Sequence, residues 1–215
     1  MSNLELENMV GRLIQQGYLR SGKVIKAFKA IPRHLFVPAK LRHHAYEDRP
    51  LPIGCGQTIS APHMVAIMTE LLDVQGDSTV LEVGTGSGYQ AAILSQLTKG
   101  KVTSLERLGE LSTGAFQALK TLGCDNVEAL TSDGSVGYPP HAPYDRVIVT
   151  AASPTIPKEL VDQLADGGRL LIPLGSRYQQ TLIELVKDVK GEITEFEHGG
   201  CVFVPLIGEK GWTPQ

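Results

Sequence analysis

The chain has 215 residues, of which 42% are hydrophobic, so it can bury one substantial core. Its 20 basic and 23 acidic residues leave a formal net charge of -3, which gives no overall positive field to attract nucleic acid. No run of about 18 apolar residues predicts a membrane span, and the acidic start does not resemble a secretory signal. Three widely spaced cysteines predict reduced thiols rather than a metal site. We therefore expect a cytoplasmic protein with neither a nucleic-acid nor a membrane partner.

Two amphipathic helices are predicted at the start of the chain. Apolar residues recur at intervals of three and four over residues 4–18, and again from Val24 to Ile31, just before Pro32. Helical periodicity then fades over residues 33–62, where prolines and glycines exclude a long regular element. A loop of this length in a compact protein is usually functional, and its apolar residues favour a lid packed on the core.

Short apolar runs alternate with helical stretches from Thr79 onwards, which predicts a parallel sheet covered by helices. The predicted strands are 79–83, 102–106, 127–131, 146–150 and 169–174, and the predicted helices are about 88–98, 109–122 and 157–165. Beyond Gly175 an antiparallel extension is predicted, with strands at 180–187, 192–197 and 201–206 and a turn at Lys190-Gly191. We expect a single domain, 1–215, with a helical preface (1–45), a lid (46–63), an α/β core (64–175) and a β extension (176–215).

Three glycines at alternate positions directly follow the predicted strand that ends at Val83. They allow a sharp turn and let a ligand approach main-chain amides closely. A dinucleotide fingerprint would carry a glycine at position 89, where this chain has Tyr89. The spacing instead resembles the S-adenosylmethionine loop of class I methyltransferases, although a nicotinamide site and a ligand-free turn remain alternatives. This resemblance implies a Rossmann-like α/β fold, with cofactor contacts at Gly84, Thr85, Gly86, Ser87 and Gly88.

Three acidic positions extend the candidate cofactor site. Glu106 ends the next predicted strand, about 20 residues beyond the loop, where a carboxylate can accept hydrogen bonds from both ribose hydroxyls. Asp133-Gly134 is similar to the adenine contact of these methyltransferases, with Asp133 as acceptor for the exocyclic amine. Glu82 could either position the loop or face the methionine amino group. A solvated strand end and a ligand-free Asp-Gly turn are the structural alternatives for Glu106 and Asp133-Gly134.

The lid carries the most specific resemblance. The segments 46–54 and 56–64 resemble the signature of the protein-L-isoaspartate O-methyltransferases. The likeness continues over most of the chain, at Arg33, Phe36-Val37-Pro38, Asp133-Gly134, Gly137-Tyr138, Ala142-Pro143-Tyr144-Asp145 and Phe203-Val204-Pro205-Leu206. Cys55 departs from the family, in which this position is variable and usually not a thiol. Thr150-Ala151-Ala152-Ser153 lacks the Asn/Asp-Pro-Pro-aromatic motif of amino-group nucleic-acid methyltransferases.

The resemblance implies methyl transfer from S-adenosylmethionine to the free α-carboxyl group of L-isoaspartyl residues in damaged proteins. The ester then collapses to a succinimide, which partly reopens as normal aspartate. An acceptor carboxylate with a pKa of about 3.5–4 is already ionised at pH 7 and needs no general base. Two alternatives remain: a methyltransferase for a small molecule or RNA, and a non-catalytic S-adenosylmethionine-binding module. We expect a monomer.

Ser60 is the residue that the resemblance places on the acceptor carboxylate. It precedes Pro62 and an apolar helical run, so it is also a good helix N-cap. His63 is either a substrate contact or a structural member of the first helical turn, and residues 202–204 either contact the substrate backbone or belong to the core. The implied substrate contacts are Thr58, Ile59, Ala61, His63, Val202, Phe203 and Val204.

Overall fold

A computed structural model describes residues 3–214, and its central feature is a seven-stranded sheet with helices on both faces. The α-helices of the described residues are Asn3–Gln15 (α1), Gly22–Ala30 (α2), Pro62–Leu72 (α3), Tyr89–Ser95 (α4), Gly109–Thr121 (α5) and Lys158–Asp162 (α6). A separate hairpin is formed by Leu51–Gly54 (β1) and Gln57–Ile59 (β2). The strands of the large sheet are Val80–Val83 (β3), Val102–Glu106 (β4), Val127–Thr131 (β5), Tyr144–Val149 (β6), Leu164–Gly175 (β7), Gln180–Lys187 (β8) and Ile193–Cys201 (β9).

The strand order is β5-β4-β3-β6-β7-β8-β9, parallel from β5 to β7 and antiparallel from β7 to β9. This arrangement confirms the predicted class I methyltransferase fold and its antiparallel extension. The chain runs outward through β3, β4 and β5 and then returns to place β6 beside β3. In open α/β sheets, ligands bind beyond the carboxyl ends of the strands at such a reversal. The carboxyl ends of β3, β4 and β6 are therefore where a site is expected.

The side chains of each strand alternate between the two faces of the sheet, and helices cover both faces. The inner strands are therefore buried on both sides. Val80 of β3 packs with Phe28 of α2 and Met68 of α3 in one hydrophobic cluster. Leu81 packs on the other face with Leu160 of α6. The outermost strand of the extension, β9, differs from the inner strands, since it is exposed from Ile193 to Gly200.

The segment 33–62 is ordered and contains no long regular element. It forms two short 3-10 helices, Arg33–Phe36 and Ala39–His44, and then the β1–β2 hairpin, in which Leu51 pairs with Ile59. Arg33 is buried, and its Nε donates to the carbonyl of Ala45 at 2.9 Å. We refer to residues 46–63 as the lid.

The structure corrects the bounds of several predicted elements, among them β7, which begins at Leu164, and α4, which ends at Ser95. The strand predicted at 201–206 ends at Cys201, because the amide of Phe203 donates to the side chain of Gln180 instead of to a neighbouring strand. The helix predicted at 157–165 ends at Asp162, since Leu164 already pairs with Tyr144 as the first residue of β7. No helix among residues 3–214 is both long and apolar enough to cross a membrane.

Candidate active site

A cavity of about 890 Å³, measured to its open mouth, lies at the carboxyl ends of β3, β4 and β6 under the lid. It brings together residues from the glycine loop, the lid and the chain beyond β9. The predicted site residues that line it are Thr58, Ile59, Ser60, Gly84, Thr85, Gly86, Ser87, Glu106, Gly134 and Val204. The predicted site residues that do not line it are Ala61, His63, Glu82, Gly88, Asp133, Val202 and Phe203.

The first glycine of the loop is required by a close approach between β3 and β6. Gly84 has a φ of 99°, and a Cβ atom there would lie 2.4 Å from Oγ1 of Thr150. That hydroxyl donates to the carbonyl of Gly84 at 2.7 Å, so the side chain of Thr150 holds the turn against the end of β6. Gly88 lies away from the cavity, where a Cβ atom would be 3.2 Å from Cβ of Ala115. Gly88 therefore allows close packing of α4 on α5, and its cofactor contact stays a prediction.

The carboxylate of Glu106 lies at one end of the cavity and supports the glycine loop. Its Oε2 accepts from the amide of Gly86 at 2.9 Å, and its Oε1 accepts from the amide of Leu108 at 3.0 Å. Only 7% of the residue is exposed. A carboxylate offers about four acceptor positions, so each oxygen of Glu106 keeps one for a ligand. Two adjacent hydroxyl groups, such as those of a ribose, fit this arrangement.

Glu82 lies outside the cavity and supports the loop indirectly. Its side chain accepts from Oγ of Ser104, which is also hydrogen-bonded to Oγ1 of Thr85 at 2.6 Å. Thr85 in turn lines the cavity. The alternative contact with the methionine amino group would require this carboxyl group to reach the cavity, which it does not line. Of the two interpretations made from the sequence, the structure favours the positioning of the loop.

Burial raises the pKa of Glu82 to about 8, against the smaller lowering effect of the hydrogen bond from Ser104. The unfolded chain releases the same proton near pH 4.3, the approximate pKa of an exposed glutamate. Between these two values the folded protein holds a proton that the unfolded chain has lost. The contribution of Glu82 to stability is therefore complete below the lower value and declines as the pH rises through the upper one.

We expect the free energy of unfolding to fall between about pH 4.3 and pH 8 and then to level off, with Glu82 contributing at most about 1.4 kcal/mol per pH unit. Glu82→Gln keeps a neutral side chain of the same size and should flatten this part of the profile. Urea unfolding of both proteins at closely spaced pH values measures the difference. Parallel profiles would show that Glu82 is ionised in the folded protein.

Asp133 is held by the last segment of the chain. Its Oδ1 accepts from the amide and hydroxyl of Ser135, and its Oδ2 accepts from the amide of Glu209 at 2.8 Å. Partial burial acts to raise the pKa of Asp133, but these hydrogen bonds, from Glu209 and then Ser135, hold it below its ordinary value. The side chain lines a second, more open depression next to Arg107. Of the predicted pair, only Gly134 reaches the main cavity.

The lid meets α3 through an acid that the sequence analysis did not single out. Asp48 Oδ1 accepts from both the amide and Nδ1 of His63, each at 2.9 Å. The N-cap position is Ala61, so the alternative interpretation of Ser60 as the helix N-cap is wrong. His63 also packs against Tyr18, with 5.5 Å between ring centroids. These contacts make His63 a structural member of the first helical turn.

Ser60 lies on the cavity side of this junction, and its hydroxyl has no hydrogen-bond partner among residues 3–214. A half-buried hydroxyl that is not used by the helix is available to a ligand. Thr58 and Ile59 line the same wall. Ala61 is buried as the N-cap residue and only adjoins them.

The chain beyond β9 closes the opposite wall of the cavity. Ala152, just beyond β6, donates to the carbonyl of Val204 at 2.8 Å and accepts from the amide of Leu206 at 2.8 Å. Val204 lines the cavity, whereas Phe203 is buried and Val202 is 75% exposed. Of the three substrate residues predicted in this segment, only Val204 is therefore a wall residue.

Several wall residues were missed by the sequence analysis. They are Gln57, Val65, Met68, Val83, Tyr89, Gln90, Leu105, Arg107, Leu108, Thr150, Ala151, Pro205, Leu206 and Ile207. Thr150 and Ala151 had a usable signal, because they end a strand that runs parallel to β3, and ligands bind at such strand ends. Gln90 had none, since its position depends on how α3 packs on α4.

The structure thus provides an acid for two hydroxyls, a glycine turn that lines the wall and a free lid hydroxyl around one cavity. A family model described as protein-L-isoaspartate(D-aspartate) O-methyltransferase matches residues 4–211. Protein-L-isoaspartate O-methyltransferase of Methanopyrus kandleri is 54% identical over 209 residues, covering 96% of this chain and 92% of the relative. The protein of that name from Pyrococcus horikoshii is 51% identical over 204 residues, covering 94% and 93%.

Two solved structures give the same result. One described as a protein-L-isoaspartate O-methyltransferase is 29% identical with a TM-score of 0.86, covering 96% of this chain and 67% of its own. A Plasmodium falciparum protein assigned to the same enzyme was solved in complex with S-adenosyl-L-homocysteine. It is 26% identical with a TM-score of 0.80, and the match covers 92% of this chain and 95% of that one. The chain therefore belongs to the protein-L-isoaspartate(D-aspartate) O-methyltransferase family.

Proposed function

We propose that this cavity holds S-adenosylmethionine and the free α-carboxylate of an L-isoaspartyl residue side by side, with Ser60 orienting the carboxylate. The reaction is that of the family: transfer of a methyl group to isoaspartyl residues of damaged proteins and peptides, which leads through a succinimide to normal aspartate. The observation that carries this proposal is the single cavity shared by the glycine loop, Glu106 and the unpartnered Ser60 hydroxyl.

The residues present fit the cofactor. Glu106 would hold the ribose hydroxyls, Gly134 would adjoin the adenine, and the loop from Gly84 to Ser87 would supply main-chain contacts. S-adenosylmethionine supplies a methyl group bound to a positively charged sulfur. All other requirements of the reaction fall on the protein, which must orient the acceptor and exclude water.

The acceptor needs orientation more than activation. A carboxylate with a pKa of about 3.5–4 is ionised at pH 7, so no side chain has to remove a proton from it. The Ser60 hydroxyl can donate to one carboxylate oxygen and leave the other directed at the methyl group. Because opposite charges are neutralised as the new bond forms, a site shielded from water favours the reaction. The lid provides that shielding over the Ser60 side of the cavity.

The substrate is a protein or peptide, and we place its flanking residues along the exposed segment next to Val204. Val202 offers an exposed apolar side chain two residues from the cavity wall. Contacts to the backbone of the substrate would tolerate many flanking sequences, which a general repair enzyme requires.

The whole chain acts as one methyltransferase domain, as a monomer in the cytoplasm, and uses neither nucleic acid nor membrane as a partner. All three cysteines are free, and Cys124 and Cys201 are buried. Free buried thiols suit a reducing compartment. The net charge of -3 supports a protein substrate over a polyanion.

The test is transfer of labelled methyl from S-adenosylmethionine to two peptides that differ only in carrying isoaspartate or normal aspartate. We expect methylation of the isoaspartyl peptide alone. An RNA pool and a mixture of small carboxylic acids serve as competing acceptors. Cofactor binding without transfer to the isoaspartyl peptide would contradict the proposal, and transfer to another acceptor would identify the alternative enzyme.

A further inference from the structure

Gln90 is a buried polar residue on the wall of the cavity. It is the second residue of α4, directly behind the glycine loop, and only 8% of it is exposed. The roles proposed above for Ser60 and Glu106 do not involve it. A buried amide normally has its hydrogen bonds satisfied, so an amide atom without a partner in the protein indicates where a ligand can bind.

The orientation of the Gln90 amide is fixed by α3. Its Nε2 donates to Oγ1 of Thr69 at 3.1 Å, and the same hydroxyl donates to the carbonyl of Val65 at 2.6 Å. The single hydroxyl hydrogen of Thr69 is therefore already used, and its oxygen can only accept from Gln90. An amide with the opposite orientation would place two acceptors against each other. The carbonyl oxygen of Gln90 is consequently the free end.

That oxygen, Oε1, has no hydrogen-bond partner among residues 3–214. The second hydrogen on Nε2 is likewise left without an acceptor in the described part of the chain. The wall thus presents one oriented acceptor beside one donor. Oε1 is not among the fully buried atoms, so it is reachable from the cavity, and a ligand group that donates a hydrogen bond can lie opposite it.

The charges around the cavity indicate which ligand group this is. The only residues of its described wall with charged side chains are Glu106 and Arg107, which are adjacent at the end of β4. If Glu106 holds the ribose hydroxyls, the amino-acid end of the cofactor would lie along the rest of the described wall, which includes Gln90 and carries no other acidic side chain. Its ammonium group then meets no carboxylate and must be bound by neutral acceptors.

We propose that Oε1 of Gln90 accepts a hydrogen bond from the α-ammonium group of the methionine part of S-adenosylmethionine. Gln90 is then a cofactor-binding residue that positions the sulfur by anchoring the chain attached to it. The proposal rests on the cofactor assignment made above and is independent of which acceptor is methylated.

The test compares two ligands that differ in the amino-acid part. S-adenosylhomocysteine carries the ammonium and carboxylate groups, whereas 5′-methylthioadenosine has the same adenosine and thioether without them. Gln90→Met has a similar length and no hydrogen-bonding amide. We expect this variant to bind S-adenosylhomocysteine roughly tenfold or more weakly, because one hydrogen bond to a charged group is lost. Binding of 5′-methylthioadenosine should stay within about twofold, and calorimetry measures both.

Thr69→Val is the second variant, because it removes the hydroxyl that orients the amide and leaves Gln90 in place. We expect a smaller loss of S-adenosylhomocysteine affinity and no loss for 5′-methylthioadenosine. Urea unfolding checks that both variants are folded, and Thr69→Val carries the test alone if Gln90→Met does not fold.

Three results would overturn the proposal. Equal losses for both ligands would mean that Gln90 only supports the shape of the cavity. A raised KM for the isoaspartyl peptide, with the affinity for S-adenosylhomocysteine unchanged, would make Gln90 a contact of the acceptor. Unchanged binding of both ligands in each variant would mean that Gln90 does not contact the cofactor. Failure of the proposed acceptor chemistry would leave these binding measurements unaffected, so the two proposals are tested separately.

Discussion

Replacing Glu106 by alanine is expected to weaken S-adenosylhomocysteine binding by roughly 100-fold or more. The variant loses two hydrogen bonds from ribose hydroxyls to a carboxylate, each contributing about 1.5–3 kcal/mol when the acceptor is charged. It also leaves the amides of Gly86 and Leu108 without their acceptor, which loosens the loop. Titration calorimetry measures the affinity, and urea unfolding shows whether the fold survives.

A second variant and a distant acid separate these two effects. Glu106→Gln keeps the size of the side chain and one acceptor oxygen but removes the charge. Its affinity for S-adenosylhomocysteine should therefore lie between those of Glu106→Ala and the native protein. Asp125, an exposed acid outside the cavity, serves as the control, and Asp125→Ala should bind the ligand normally. Native affinity in both Glu106 variants would show that the ribose is bound elsewhere.

Replacing Ser60 by alanine is expected to reduce kcat/KM for the isoaspartyl peptide by roughly 100-fold, the effect typical of removing one positioned hydrogen-bond donor. The stability of the protein should not change. An N-cap serine would contribute about 1 kcal/mol, but Ala61 occupies the cap position and Asp48 accepts from the amide of His63. Initial rates of methyl transfer and urea unfolding together test the two interpretations of this residue.

Thr58→Val is the matched comparison, because Thr58 is the other hydroxyl of the lid on the same wall. It should lower kcat/KM much less than Ser60→Ala does. S-adenosylhomocysteine should bind both variants with an affinity close to that of the native protein. A Ser60→Ala protein that is fully active but less stable would mean that the serine acts only at the helix end.

The arrangement of the sheet could be predicted because each strand carries its own pattern. The runs that became β4 and β5 were placed with their observed bounds, and the glycines after Val83 indicated where the ligand binds. The residues at which helices and strands end were less predictable, since they depend on hydrogen-bond partners that are distant in the sequence. The apolar run 201–206 has the composition of a strand. The amide of Phe203, however, donates its hydrogen bond to the side chain of Gln180 and not to a neighbouring strand.

The cofactor side of the site was predictable from local sequence, whereas the supporting contacts were not. Glu106 and the glycine loop are only 20 positions apart and lie on adjacent parallel strands, so their proximity follows from the fold. Asp48 and Thr69 act through packing of the lid and α3, which no local pattern records. The placement of Glu82 was accessible from strand alternation, because Leu81 and Val83 share the opposite face.

The exposed outer strand β9 affects how this protein meets other chains. An unpaired strand edge can bind extended segments of almost any sequence through main-chain hydrogen bonds. Damaged and partly unfolded polypeptides are rich in such segments. β9 carries Glu195 and Glu197 among its exposed residues, and its ladder with β8 is irregular near Gly199, which has a φ of 98°. Charge and irregular backbone make this edge a poor template for aggregation, even though it is exposed over most of its length.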